Sequence, residues 1–293
     1  MKIWLKLLVC WAAFGLSVAV MGILIRALGL RVNMPVDHSS AATRLLAAAM
    51  AGLLLVMGLW PVARGLAGLV WARVAALGMF LFLALGVNTI FDGAIYSTAF
   101  DGAIVSSTAY FFVLGLAVGC ALGASFGETG IAPGLAARGW VGWAWRGAVA
   151  IAVWPFIYFF FGACIAPIVV PYYQNGAIPG LHLPTLPVIF GVQLVRSAIF
   201  LAATLPLISL WNGSRRGLWL ALGLAHTVAV GLYGMAAATF LPAVLRITHS
   251  AEITCDSFAY AGLLALLFAA PKAKAESGAA DGAPMTLTPH TSS

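Results

Sequence analysis

The sequence predicts an all-α fold, a polytopic transmembrane helix bundle of about eight helices. Of the 293 residues, 63% are hydrophobic and 8% are charged, and the mean hydropathy is +1.04. A soluble domain carries roughly a quarter charged residues, so this composition is typical of a chain that crosses a membrane repeatedly. Apolar runs long enough to span the hydrocarbon recur along most of the chain.

The individual spans follow from the rule that a helix needs about 20 apolar residues to cross the hydrocarbon core. The first run follows Lys2 and Lys6 and continues through Val20–Ile25, which favours an uncleaved first helix over a signal peptide. In chain order the predicted spans are Trp4–Leu28, Leu45–Val62, Leu66–Leu85, Ser107–Gly123, Gly147–Val170, Leu186–Leu210, Leu218–Leu241 and Thr254–Ala270.

The spans divide the membrane bundle into a first half, residues 1–130, and a second half, residues 131–270. Residues 271–293 are rich in Ala, Gly, Pro, Ser and Thr, which predicts a disordered cytoplasmic tail. A faint similarity suggests a duplication, because Ala103–Tyr110 leads into the fourth span as Ala251–Phe258 leads into the eighth. An even number of spans in each half predicts a parallel rather than an inverted repeat.

The positive-inside rule orients the bundle with both termini in the cytoplasm. The Ala- and Gly-rich composition is typical of a bacterial protein, so the predicted location is the cell inner membrane. The basic residues are scattered singly, which predicts no nucleic-acid partner. The inner side collects Lys2, Lys6, Arg64, Arg73, Arg138, Arg146, Arg215, Arg216, Lys272 and Lys274, and the outer side Arg26, Arg31, Arg44 and Arg246.

The pentapeptide Phe-Asp-Gly-Ala-Ile occurs twice, starting at Phe91 and at Phe100. The spacing would place Asp92 and Asp101 on opposite sides of a continuous helix. Asp-Gly is favoured in turns, because Asp hydrogen-bonds its own backbone and Gly adopts positive φ. The sequence therefore predicts two successive turns at the outer face. The alternative, a bent loop around a cation, has too few ligands.

The strongest candidate site is a stripe of polar residues on a helix that runs from the outer face into the eighth span. Helical spacing of three and four places them within an arc of about 120°. Asp256 then lies about one turn inside the bilayer. The members of the stripe are Arg246, His249, Glu252, Asp256 and Tyr260.

Two further polar residues lie deeper in the predicted bundle. Arg196 is near the middle of the sixth span and His226 is near the middle of the seventh. An Arg at the bilayer centre costs at least about 3 kcal/mol, so it should face the interior and have a partner. We expect Arg196 to pair with Asp256 or Glu252, with His226 nearby.

The sequence also offers half of a metal-binding pattern in His249-x-x-Glu252. A second half is not evident, and His38 and His182 in the outer loops are the distant candidates for it. The sequence therefore predicts no bound metal and no cofactor.

Three functions are compatible with these features. The first is a small transporter or permease with a polar path opening to the outer face, its binding residues being Arg196, His226, Arg246, His249, Glu252 and Asp256. The second is a membrane-embedded enzyme at the outer leaflet that uses His249 and Glu252. The third is a non-catalytic membrane subunit, joined to other subunits or to a second copy through glycine stripes such as Gly115, Gly119 and Gly123. The spread of polar groups through the bilayer depth favours transport, although ion pairs inside bundles can also simply fix helix register.

Overall fold

Long apolar helices make up nearly all the regular structure in the part of the chain that is described. The structure is a computed structural model that describes residues 1–30, 37–97, 103–132, 134–135, 138–174, 178 and 180–269. Eight helices in these ranges are long and apolar enough to cross a membrane, which confirms the predicted all-α polytopic bundle. They are α1 (Ile3–Ala27), α2 (Ala41–Gly65), α3 (Val70–Tyr96), α4 (Ile104–Ser125), α5 (Trp140–Gln174), α6 (Leu186–Leu210), α7 (Arg215–Ala237) and α8 (Ala243–Phe268).

The outer surface of the bundle is apolar, as contact with lipid requires. Large side chains such as Leu16, Ile23 and Phe156 are about two-thirds exposed on α1 and α5. A soluble protein rarely exposes contiguous apolar surface on this scale. The chain is therefore an integral membrane protein whose helices contact the lipid bilayer.

Two helices are longer than predicted at ends that carry acidic residues. α3 continues past the predicted end at Leu85 to Tyr96, and α8 begins at Ala243. Asp92 and Gly93 therefore lie inside a helix, and the turn predicted for the first Asp-Gly pair is wrong. The local preference of Asp-Gly for turns is overridden because the Asp92 carboxylate has a cationic partner inside the bundle. Asp101 lies outside the described residues.

The two ends of the bundle are distinguished by contacts between its connections. At one end, here called the terminal face, Leu66 bridges to Trp211 and Ala67 to Glu128. Nζ of Lys6 also donates a 2.6 Å hydrogen bond to a backbone oxygen at the end of α4 there. At the other end, the opposite face, the segment after α3 bridges to the segment before α6 through Ser97 and Leu181.

Asp37 ties the α1–α2 connection to the α7–α8 connection at the opposite face. It accepts hydrogen bonds from the Thr239 hydroxyl and from the Ser39 N–H, the latter at 2.9 Å. These hydrogen bonds lower the pKa of the Asp37 carboxyl from 3.8 to about 2. The stability that they contribute is therefore present above the ordinary pKa and is lost as the pH falls toward about 2.

The packing of the last four helices repeats that of the first four. α1 packs on α2 and α4, and α3 packs on α4; likewise α5 packs on α6 and α8, and α7 packs on α8. Between the two sets, α2 packs on α7 and α6 packs on α3. At the terminal face, Ala67 N–H donates to the oxygen of Leu210 at 2.7 Å, and Asn212 N–H donates to the oxygen of Gly65 at 2.8 Å. Gly65 and Leu210 are the last residues of α2 and α6, so each donor lies two positions past a helix end and bonds the helix end of the other set.

The two central helices each contain a π-helical segment, Leu81–Val87 in α3 and Val228–Leu232 in α7. The two segments contact each other. A π-helical turn holds more residues than an α-helical turn, so it rotates the following residues about the helix axis. Asn88 and Tyr233 are the first residues after the two segments.

The predicted glycine stripe of α4 packs against α3 of the same chain. A Cβ atom at Gly119 would lie 2.6 Å from the backbone nitrogen of Gly78, and one at Gly123 would lie 2.7 Å from that of Val74. The absence of side chains thus lets the two backbones touch. Association with other subunits or with a second copy stays a prediction.

Arg73 is a buried cation at the terminal face that binds backbone carbonyls. Its guanidinium donates to the oxygens of Gly68 at 2.5 Å, Glu128 at 2.8 Å and Gly123 at 3.2 Å. These bonds join α3 to the end of α4 and to both neighbouring connections. Arg73 is only 3% exposed, so the contacts are shielded from water.

Replacing Arg73 with Met should lower the free energy of unfolding by about 2 to 4 kcal/mol, because it removes three charge-assisted hydrogen bonds from carbonyls in a buried site. Thermal unfolding of the purified protein in detergent measures this change. Arg64→Met, at an exposed position near the same face, is the matched control and should have little effect. Equal stability of the two variants would contradict the structural role of Arg73.

Candidate functional site

Arg196 on α6 forms an ion pair with Asp92 on α3. Nη1 of Arg196 lies 3.1 Å from Oδ1 of Asp92, and the two side chains are 8% and 37% exposed. The expectation that Arg196 would have an acidic partner inside the bundle is confirmed, but the predicted partners, Asp256 and Glu252, were wrong. The reason is the packing of α3 on α6, a contact between distant segments that local spacing does not reveal.

α3 presents a polar stripe immediately after its π-helical segment. Asn88, Asp92 and Tyr96 follow one another at intervals of four and so share one face of the helix. Nδ2 of Asn88 lies 3.4 Å from Oδ2 of Asp92, and the Tyr96 hydroxyl lies 3.2 Å from the hydroxyl of Tyr158 on α5. The stripe thereby connects α3 to both α6 and α5.

α8 contributes a hydrogen-bonded chain of ionisable groups. Nδ1 of His249 lies 2.9 Å from Oε2 of Glu252, and its Nε2 lies 3.2 Å from the Tyr173 hydroxyl on α5. Glu252 packs against Gly162 of α5, where an added Cβ would lie 3.3 Å from Oε1. Both imidazole nitrogens thus have partners, an arrangement that can pass a proton between the phenol and the carboxyl group.

Asp256 completes the group of acids around Arg196. Its side chain is buried, and it lies within electrostatic range of both Arg196 and Glu252. Asp256 Oδ1, Arg196 Nε and Gln193 Nε2 are buried atoms without a hydrogen-bond partner among the described residues. Gln193 is held in place from the other side, because its Oε1 accepts a 2.9 Å hydrogen bond from Trp154.

The charges of this buried cluster do not balance. The buried cluster, defined here as Asp92, Arg196, His249, Glu252 and Asp256, holds three carboxyl groups and one permanent cation. Unbalanced charge is expensive in a site shielded from water, so a carboxyl group must be protonated or the site must hold a further cation. The arrangement is therefore suited to binding and releasing a proton or a cation.

His226 lies beyond the buried cluster, on the far side of an aromatic layer. Its ring contacts Phe200 and Tyr260 at centroid distances of 5.7 and 6.1 Å, and the Arg196 guanidinium lies 5.7 Å from the same Phe200 ring. Nε2 of His226 lies 2.9 Å from the Thr204 hydroxyl, which donates its own proton to the Phe200 oxygen. The hydroxyl must therefore accept from His226, which fixes a proton on Nε2.

The other predicted residues lie outside the buried cluster. Arg246 faces a groove between α7 and α8. His38 and His182 are exposed residues at the opposite face. Within the described ranges, no group of three or more His, Cys, Asp or Glu side chains has the geometry to hold a metal ion.

Sequence reasoning missed the contribution of α3 and α5. The spacing of Asn88, Asp92 and Tyr96 was a usable signal, because three polar residues at intervals of four inside an apolar run mark one helix face. Tyr158 had no such signal, since it stands among apolar residues of α5, and Tyr173 lies at the end of α5 with no polar residue three or four positions before it.

Comparison with known proteins found no matching family model, no matching curated protein and no matching solved structure.

Proposed function

We propose that the chain is a proton-coupled permease of a bacterial inner membrane, with its polar path opening at the opposite face and both termini in the cytoplasm. The observation that carries the proposal is the buried cluster itself, in which one guanidinium is paired with Asp92 while two further carboxyl groups, Asp256 and Glu252, lie within electrostatic range of each other. Ionisable side chains within a membrane are costly, and they commonly mark ion or proton pathways. An excess of carboxyl groups over cations favours a proton or another cation as the species that binds.

Exposure decreases along the proposed path. Asp92 is the outermost acid of the buried cluster, and its side chain is 37% exposed, whereas those of Arg196 and Glu252 are 8% and 7% exposed. A proton that enters at Asp92 reaches a site where Glu252 and Asp256 lie within electrostatic range of each other. Tyr173 and His249 form a second approach to Glu252 from α5.

The proposal includes an origin of the bundle by duplication, with residues 1–130 and 131–270 as parallel repeats. The repeated packing and the paired helix ends Gly65 and Leu210 support it. Transporters built from repeats commonly place their sites where the repeats meet. The Asp92–Arg196 pair joins the two sets of helices in this way.

A pH jump on reconstituted protein tests proton binding. On a solid-supported membrane, a jump from about pH 8 to about pH 5 should displace charge in wild-type proteoliposomes as the unbalanced carboxyl groups of the buried cluster bind protons. Glu252→Gln should reduce this displacement by about a third, and Glu252→Gln with Asp256→Asn by about two thirds, because one and then two of the three carboxyl groups are unable to bind a proton.

Glu128→Gln makes the same chemical change at the terminal face, where the side chain is exposed, and should leave the displacement at the wild-type level. If wild-type protein displaces no more charge than protein-free liposomes, the proton-coupled proposal is wrong. When proton binding is present, solutes added to proteoliposomes that carry a pH-sensitive dye should identify the class of cargo that dissipates a proton gradient. A gradient that no solute dissipates would restrict the buried cluster to proton binding and would contradict a permease.

A further inference from the structure

A groove on the outer surface of the bundle lies between the end of α7 and the start of α8, close to the opposite face. It has a volume of about 370 Å³ and an almost wholly apolar lining. The charged residue in the groove is Arg246. The lining residues are Leu232, Met235, Ala236, Ala243, Arg246, Ile247 and Ser250.

Arg246 is separate from the buried cluster and has no acidic partner in the described ranges. The ion pairs recorded there join Arg196 to Asp92 and His249 to Glu252. Nε of Arg246 is buried without a hydrogen-bond partner among the described residues. The sequence predicts Arg246 and His249 on one face of α8. In the structure Arg246 lies at the edge of that face and lines the groove with residues of α7.

The depth of Arg246 in the membrane suits a lipid headgroup. It lies in the first turn of α8, within a few ångströms of the end of the helix along its axis. Guanidinium groups at this level attract anionic lipid headgroups, while the hydrocarbon begins immediately below. Ile247 is 71% exposed beside the groove, so this side of α8 faces lipid.

We propose that this groove binds one anionic phospholipid, with its phosphate on the Arg246 guanidinium and an acyl chain along Leu232, Met235 and Ile247. The charge of Arg246 selects an anion, and the apolar lining selects an amphiphile over free phosphate. The inference is independent of the proposed transport function, because it uses no residue of the buried cluster.

Native mass spectrometry of protein exchanged into mixed lipid and detergent micelles tests the site. Wild-type protein should retain one phosphatidylglycerol in preference to phosphatidylcholine of the same chain length. Arg246→Gln should lower the retained fraction about fivefold, the effect expected for loss of one interfacial cation. Arg246→Lys keeps the charge and should retain most of the binding. A parallel experiment with inorganic phosphate tests whether the phosphate group is sufficient for binding. Phosphate without an acyl chain should not be retained.

Arg26→Gln is the matched control, because Arg26 is an exposed cation in the last turn of α1 at the same face. It should leave retention unchanged. Three results would overturn the proposal: equal retention of the two lipids by wild-type protein, equal retention of phosphatidylglycerol by Arg246→Gln, or retention of inorganic phosphate at the level of the lipid. A wild-type dimer that becomes monomeric in Arg246→Gln without lipid loss would assign the groove to a second copy of the chain and would also overturn it. Gel filtration of each variant confirms that the compared proteins are folded.

Discussion

Arg196→Met should destabilise the folded protein by about 3 kcal/mol, the lower end of the range for breaking a buried ion pair. The substitution leaves Asp92, Glu252 and Asp256 without the cation that they share. The cost is at the lower end because the Asp92 side chain is 37% exposed, so the pair is only partly buried. Thermal or denaturant unfolding in detergent measures the loss.

The double variant Arg196→Met with Asp92→Asn tests the cause of that loss. It removes both charges of the pair, so it should recover a substantial part of the stability lost by Arg196→Met alone. Arg44→Met removes an exposed cation at the opposite face and should be close to wild type. Wild-type stability of Arg196→Met would contradict the ion pair as a structural element. An additive double variant would show that the two residues act separately.

Gly119→Leu should prevent most of the expressed protein from folding. Even a Cβ atom at this position would lie 2.6 and 2.8 Å from the backbone nitrogen and Cα of Gly78. These are backbone atoms of α3, so no side-chain rotation relieves the overlap and the two helices must separate. Overpacking of a tight contact costs about 1 to 3 kcal/mol for small insertions, and Leu adds several more atoms. The yield of folded protein after fluorescence-detected gel filtration measures the effect.

Gly22→Leu is the matched control for Gly119→Leu. Gly22 lies on α1 with no neighbouring atom within 4 Å of its added Cβ, so the side chain extends into lipid. Gly119→Ala should fall between the control and Gly119→Leu. A Gly119→Leu protein that is folded but elutes as a smaller species would show that the glycine stripe of α4 joins subunits rather than helices of one chain.

The sequence was sufficient to predict the number and approximate positions of the spans, because a bilayer imposes one length and one polarity on every crossing. The bounds of α6 are predicted correctly, since its ends coincide with a fall in hydropathy. α3 and α8 are predicted too short, because a hydropathy rule ends a span where charged residues begin. In this protein Asp92 and Glu252 lie inside helices beyond the predicted ends of their spans, and Asp92 has its partner on another helix.

The arrangement of the buried cluster could be predicted only in part. Helical spacing placed His249, Glu252 and Asp256 on one face of α8, and the cost of a buried Arg required a partner for Arg196. The choice of Asp92 as that partner depends on the packing of α3 on α6 and on a π-helical segment. Neither feature has a signature in local sequence.

Two hydrogen bonds, between Gly65 and Asn212 and between Ala67 and Leu210, fix the two sets of four helices to each other at the terminal face. If the two sets rock as rigid bodies while these bonds hold, the displacement of one set relative to the other grows with distance from the terminal face. Arg196 lies about 20 Å along α6 from Leu210, so such rocking would separate α6 from α3 near Asp92 and leave the terminal face shut. Access to the buried cluster from the terminal face would then require these hydrogen bonds to break or α3 and α7 to bend at their π-helical segments. Under this hypothesis, opening at the opposite face would cost less than opening at the terminal face.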